Sequence, residues 1–265
     1  MQKRARLYLT TCQAEHPQGA FRFWGRDGPH HAAPDMDDTA LAHLALGRLS
    51  PLSSTDALAL FGPYRTTSGC PLHPISRWAG VHKGVFTVWM DEGPAIVDAC
   101  ACANVVRFLG QAGARDVPGY IASLKMLTDL VATGETRGDW TPYYSSPYAT
   151  AFFCSRLNPS GQDRIAEENA LLQAVKIGVE KSCTRPEPAG FNRMLLVSAG
   201  LSTGVAPDAG TIEQVCQGQC ADGGWPASVI CQGLRGEPRW SSRAVTTALA
   251  CEILVRLERG CDTTC

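Results

Sequence analysis

The stretch PDMDDTALAHLAL (34–46) crowds Asp35, Asp37 and Asp38 into four positions and follows them at once with Thr39, Ala40 and Leu41. Two physical readings apply. Acids favour the first turn of a helix, where the backbone N–H groups point outward. Crowded carboxylates also oppose one another's ionisation, so one of them can keep its proton and act as an acid. The spacing divides the three: Asp35 and Asp38, three apart, share a helical face, and Asp37 points elsewhere.

Working outward, helical periodicity recurs along the chain. It predicts helices over about 3–14, 36–49, 53–61, 82–91, 96–112, 117–133, 146–157, 162–181, 190–202, 209–217, 225–233 and 241–258. Asp35 or Asp37, Ser54, Ser145 and Ser241 are the expected caps. Strand patterning is nearly absent, and no Asn-Gly or Asp-Gly turn sits between β-branched segments. Gly/Pro-rich pieces such as GPYRTTSGCPLHP (62–74) and CTRPEPAG (183–190) separate the helices, and none has the length of a linker. The segments IVDACACANVVRFL and AVTTALACEILVRL are apolar round much of their circumference, as inner helices are. The expected fold is all-α, a ring of helical hairpins forming one domain over 1–265.

Composition narrows the function. A formal net charge of -1 on 265 residues gives no electrostatic case for nucleic acid or an anionic membrane. The apolar run after MQKRAR is too short for the core of a signal peptide. No stretch reaches the roughly 20 apolar residues that span a bilayer. The expectation is a cytoplasmic protein with no transmembrane segment. The 12 cysteines are scattered, and without a secretion signal they read as reduced, mostly small apolar side chains. Cys216 and Cys220 lack a second pair at zinc-ligand spacing.

Two further segments bear on the acids. CQAEHPQGAFRFW (12–24) and CQGQCADGGW (216–225) both place Gln, then Gly, then an aromatic residue before a helix. DMDDTA (35–40), QCADGGW (219–225) and SSRAVTTALACEIL (241–254) together resemble the class II terpene cyclases, the family of squalene–hopene cyclases and copalyl diphosphate synthases. PAIVDACACANVVRFLG (94–110) is similar to a helix of the same family. The resemblance implies an (α/α)6 toroid and cyclisation of a linear isoprenoid started by protonation. It implies that Asp37, the middle acid, is the general acid, with Asp35 and Asp38 holding its proton and orientation. Family members usually combine two such rings, and this chain has length for one. Either a partner domain or second protomer closes the cavity, or the substrate is smaller or bound differently, or the acid motif is a remnant.

An aspartic acid with its ordinary pKa near 3.9 is ionised at neutral pH and cannot protonate an alkene. Neighbouring carboxylates, a dry setting and a hydrogen-bond partner change that. The cation that forms needs unreactive aromatic walls. Candidates are Phe21, Phe23 and Trp24, then Trp89, Trp140, Tyr143, Tyr144, Tyr148 and Trp225, with core packing as the competing account of each. His30, His31 and His43 lie near the motif, and His73 and His82 carry no signal. Asn104, on an apolar helix, needs a buried partner, and Asp98 either joins it or caps the helix. Arg243 either binds a diphosphate or makes a surface ion pair.

No redox cofactor is required. Mg2+ is admissible if the substrate is a prenyl diphosphate, although Lys83, Arg107 and Arg243 form no basic cluster. The competing readings are a non-catalytic helical ring that binds a lipid or protein, and a zinc-dependent prenyltransferase-like enzyme.

Overall fold

The computed structural model describes residues 2–25, 32–46, 53–68, 71–133, 140–157, 163–183, 190–234 and 238–261. These are mostly helical. By chain contacts the residues group into two units, Met1–Leu127 with Ser160–Asp163, and Thr128–Pro159 with Arg164–Cys265.

The first unit holds α1 (Gln2–Thr11), α2 (Met36–Leu46), α3 (Ser54–Phe61), a 3₁₀ helix (Pro74–Val81), α4 (Ala99–Gln111) and most of α5 (Tyr120–Ala132). Its centre is α4. The Asp98 carboxylate accepts from the N–H groups of Cys100 and Ala101 at 2.7 and 3.1 Å, closing the helix start. Every residue from Ala99 to Val106 is buried, so α4 is an inner helix packed on all sides. Its Ala and Cys side chains are small, which lets α2 pack closely against it. Ser53, rather than Ser54, caps α3, in a reciprocal pair with Asp56.

Residues 82–91 are not helical. Gly84 takes φ 81°, and the β-branched and aromatic run Val85–Trp89 continues as an extended strip. Its backbone bonds to Thr66 and Tyr64 on one edge. On the other it receives Met36 N–H at Val88 O (2.8 Å) and donates Met90 N–H to Pro34 O (3.0 Å). The periodicity of this short run is ambiguous between helix and strand, and pairing with residues distant in sequence decides it. Residues 12–22 turn back on themselves, and Phe21 bridges both Gln13 and Asp35.

The second unit contains α6 (Ala149–Cys154), α7 (Ala166–Cys183), α8 (Gly190–Thr203), α9 (Ala209–Gln217), β1 (Ser228–Gln232), β2 (Arg239–Ser242) and α10 (Arg243–Cys261). Its core joins Met194, Leu195 and Val197 of α8 to Val215, Trp225, Leu249, Ala250 and Ile253. The segment expected as a helix over 225–233 is instead β1, paired antiparallel to β2 with a bulge between Val229 and Cys231. Val229 and Ile230 favour that pairing. Ser242 rather than Ser241 caps α10, accepting from Val245 N–H. Ser145 donates to Val229 O and does not cap α6, whose cap position is Tyr148. Nor is α10 buried all round: Thr246, Leu249, Ala250 and Ile253 face inward, while Val245, Cys251 and Val255 are exposed.

Among the described residues no helix is long and apolar enough to cross a membrane. Cys12, Cys100, Cys102 and Cys154 are buried.

Candidate functional site

The start of α2 sits against two non-helical segments. Met36 N–H reaches Val88 O, Phe21 N–H donates to Thr39 Oγ1 at 2.9 Å, and the Thr39 hydroxyl reaches Met90 Sδ at 3.8 Å. His43, one turn further on, donates to Gly19 O at 2.8 Å and stacks on Phe108. Burial lowers its pKa, which suits a neutral ring fixing the 12–22 turn to α2. His30 and His31 lie outside the described residues.

This framework separates the acids. Asp35 is buried, and its Oδ1 accepts Asp38 N–H at 2.7 Å, so Asp35 is the cap of α2. The Asp35 and Asp38 carboxyls also bond to each other. Burial, the Asp38 charge, that bond and the Asp37 charge hold the Asp35 carboxyl well above the usual carboxylate range. Burial likewise pushes Asp38 up, to about 6, although the bond from Asp35 acts the other way. The two carboxyls titrate as one system.

Asp37 turns toward α4. The Nδ2 of Asn104 donates to its Oδ1 at 2.7 Å. Asn104 is fully buried, and its own Oδ1 has no hydrogen-bond partner among the described residues. That donation stabilises the ionised form of the Asp37 carboxyl. Asp98 caps the start of α4, accepting from the Cys100 and Ala101 N–H groups.

The aromatic candidates divide. Trp89 is half-buried and its backbone bridges Asp35, so it lies at the acid cluster. Phe23 and Trp24 meet edge to face, 4.8 Å between centroids, with Phe23 well exposed. Tyr144 belongs to the second unit, where it packs edge-on against Phe153. Trp225 is in the core of that unit, its indole N–H donating to Val215 O at 2.7 Å and its backbone N–H to Thr247 Oγ1. It is a packing anchor. Gln219 donates to Gly223 O, and Arg243 bonds to Trp225 O and pairs with Asp222. The Gln-Gly-Trp stretch thus ties the end of α9 to the start of α10, and Arg243 makes a surface ion pair.

A cleft of about 350 Å³ in the second unit, between α7, α8 and the start of α9, contains none of these candidate residues. Among the described residues no group of three or more His, Cys, Asp or Glu side chains is arranged to hold a metal ion. The extended strip 85–90 and the 12–22 turn, which position the acids, are the parts that helical periodicity missed. The Gly84-Val85-Phe86 sequence is the signal that marks the first.

No family model, curated protein or solved structure matches the chain.

Proposed function

We propose that the chain catalyses protonation-initiated cyclisation of a linear isoprenoid, as its resemblance to the class II terpene cyclases implies. The observation that carries this reading is the split of the three acids: Asp35 and Asp38 bonded to each other, Asp37 held by Asn104. In the proposed reaction Asp37 transfers a proton to a terminal alkene or epoxide. The adjacent π electrons close the ring, and loss of a proton from the cyclised cation ends the sequence. Asn104 steadies the Asp37 carboxylate in between, and Asp35 and Asp38 withhold a second negative charge from its vicinity. Trp89, whose backbone bridges Asp35, supplies an aromatic wall in this reading. The (α/α)6 toroid over 1–265 belongs to the same proposal, as do a prenyl diphosphate or hydrocarbon substrate and a partner domain or protomer closing the site.

Product analysis by mass spectrometry after incubation with farnesyl and geranylgeranyl diphosphates and squalene, wild type against Asp37→Asn, tests it. A cyclised product absent from the variant supports the reading. Equal product from both sinks it. Asp35 as the cap of α2 favours a second reading, a helix start without chemistry in a ring that binds a lipid or partner. In that case no substrate is turned over and Asp37→Asn changes nothing.

A further inference from the structure

Helix α1 is almost bare. From Lys3 to Thr11 every side chain is exposed except Leu9, which turns inward toward Cys12, Phe21 and Ala42. The outward positions carry Lys3, Arg4, Leu7 and Tyr8, with Arg6 at the flank. Between Gln2 and Ala14 there are three basic residues and no acidic one, a local excess that the net charge of -1 conceals. Leu7 is 58% exposed and Tyr8 52%. The apolar part continues beyond the helix. A Cβ on Gly25 would meet Thr11 Oγ1 at 2.8 Å. The strip ending at Gly25 is thus laid along the last turns of α1, and it brings Trp24 and Phe23, 40% exposed. Arg22, half-buried in that strip, has a buried Nε with no hydrogen-bond partner among the described residues.

We infer that α1 and the Phe23–Trp24 strip form a docking face for an anionic phospholipid surface. Leu7, Phe23 and the rims of Tyr8 and Trp24 are the side chains that enter the headgroup boundary, where amphipathic aromatic rings are favoured. Lys3, Arg4 and Arg6 meet the lipid phosphates, each contributing to binding within a Debye length of the surface. Charge decides the partner. An uncharged apolar protein surface leaves three cations unmatched, and a nucleic acid leaves Leu7 and Phe23 in water. The inference goes beyond the proposed reaction and does not depend on it.

The test is vesicle co-sedimentation of the full chain with phosphatidylcholine alone and with phosphatidylcholine mixed with phosphatidylserine. The expected result is binding to the mixed vesicles that weakens with salt. A Lys3→Gln, Arg4→Gln, Arg6→Gln variant should bind about a hundredfold more weakly. A Leu7→Ser, Phe23→Ser variant should lose binding with its charge intact. Near-UV circular dichroism and Tm confirm that each variant is folded. The inference is overturned if the wild type ignores the mixed vesicles, if the charge-neutralised variant binds them equally, or if a mixed-sequence RNA is bound in their place.

Discussion

The side-chain amide of Asn104 donates to Asp37 at 2.7 Å across 67 residues of sequence. A residue of the inner helix thereby picks out one of three neighbouring carboxyls. The first prediction concerns that carboxyl. Asp37→Asn keeps an oxygen to accept from Asn104 and removes the acidic proton. Turnover should fall by about 10²–10⁴, the usual contribution of a general acid, with an unchanged Tm. Single-turnover product formation checks the first, and a thermal melt the second.

Asn104→Leu should separate activity from stability. Among the described residues the buried Asn104 Oδ1 has no partner, so its removal relieves an unsatisfied group, and stability should change by less than about 1 kcal/mol. The lost bond to the forming carboxylate is of the charged kind, worth about 1.5–3 kcal/mol, so kcat should fall roughly 10–100-fold. Urea unfolding beside steady-state kinetics distinguishes this from a general loss of packing. A variant losing stability and activity together contradicts it.

The acids also set a pH dependence. Both Asp35 and Asp38 are raised in the folded protein, Asp38 to about 6, above the ordinary value that the unfolded chain adopts. The unfolded state releases these protons first as pH rises. The cluster's contribution is therefore fully present below about pH 4 and is lost through pH ~6 and above. Tm should be several degrees lower at pH ~8 than at pH ~5. Asp38→Asn, which removes one member of the pair, should flatten the difference. A Tm rising steadily from pH ~5 to ~8, and unaltered by the substitution, counts against the pairing.

Gly119 has φ 108° and faces a full site. A Cβ there would lie 2.6 Å from one ring carbon of Phe86 and 3.0 Å from two others. Phe86 cannot withdraw: it is 1% exposed, its N–H donates to Ser123 Oγ, and its carbonyl accepts from Cys102 Sγ. Gly119→Ala should cost about 2–4 kcal/mol, from strain at a positive φ together with overpacking. Because Phe86 belongs to the strip that holds α2, chemical denaturation and turnover should both register the change.

Periodicity made the helices legible. The unbroken run of small apolar residues marks α4 as an inner helix, and the Asp-Met-Asp-Asp spacing places Asp35 and Asp38 on one side. The strip 85–90 was not legible, because a short apolar run carries no period of its own and takes its form from partners distant in sequence, Thr66 on one edge and Pro34 and Met36 on the other. For α10 the composition misled: its exposed Val245 and Val255 are as apolar as its buried Ile253, and only packing distinguishes them. Trp225, read as a cavity wall, is a core anchor for the same reason. Hydropathy records that a side chain avoids water, and not which neighbour removes it.

The acid motif is short, but the acid is not portable. Asp35 meets Trp89, Thr39 meets Phe21 and Met90, and Asp37 meets Asn104, so the setting is drawn from four separate stretches of chain. DMDDTA grafted onto another helix would bring the cap and leave behind the burial and the amide. There it would titrate as three ordinary aspartates. A search for this chemistry by hexapeptide alone would therefore collect helix starts. Adding an extended strip and a buried asparagine on a facing helix would select for the whole arrangement.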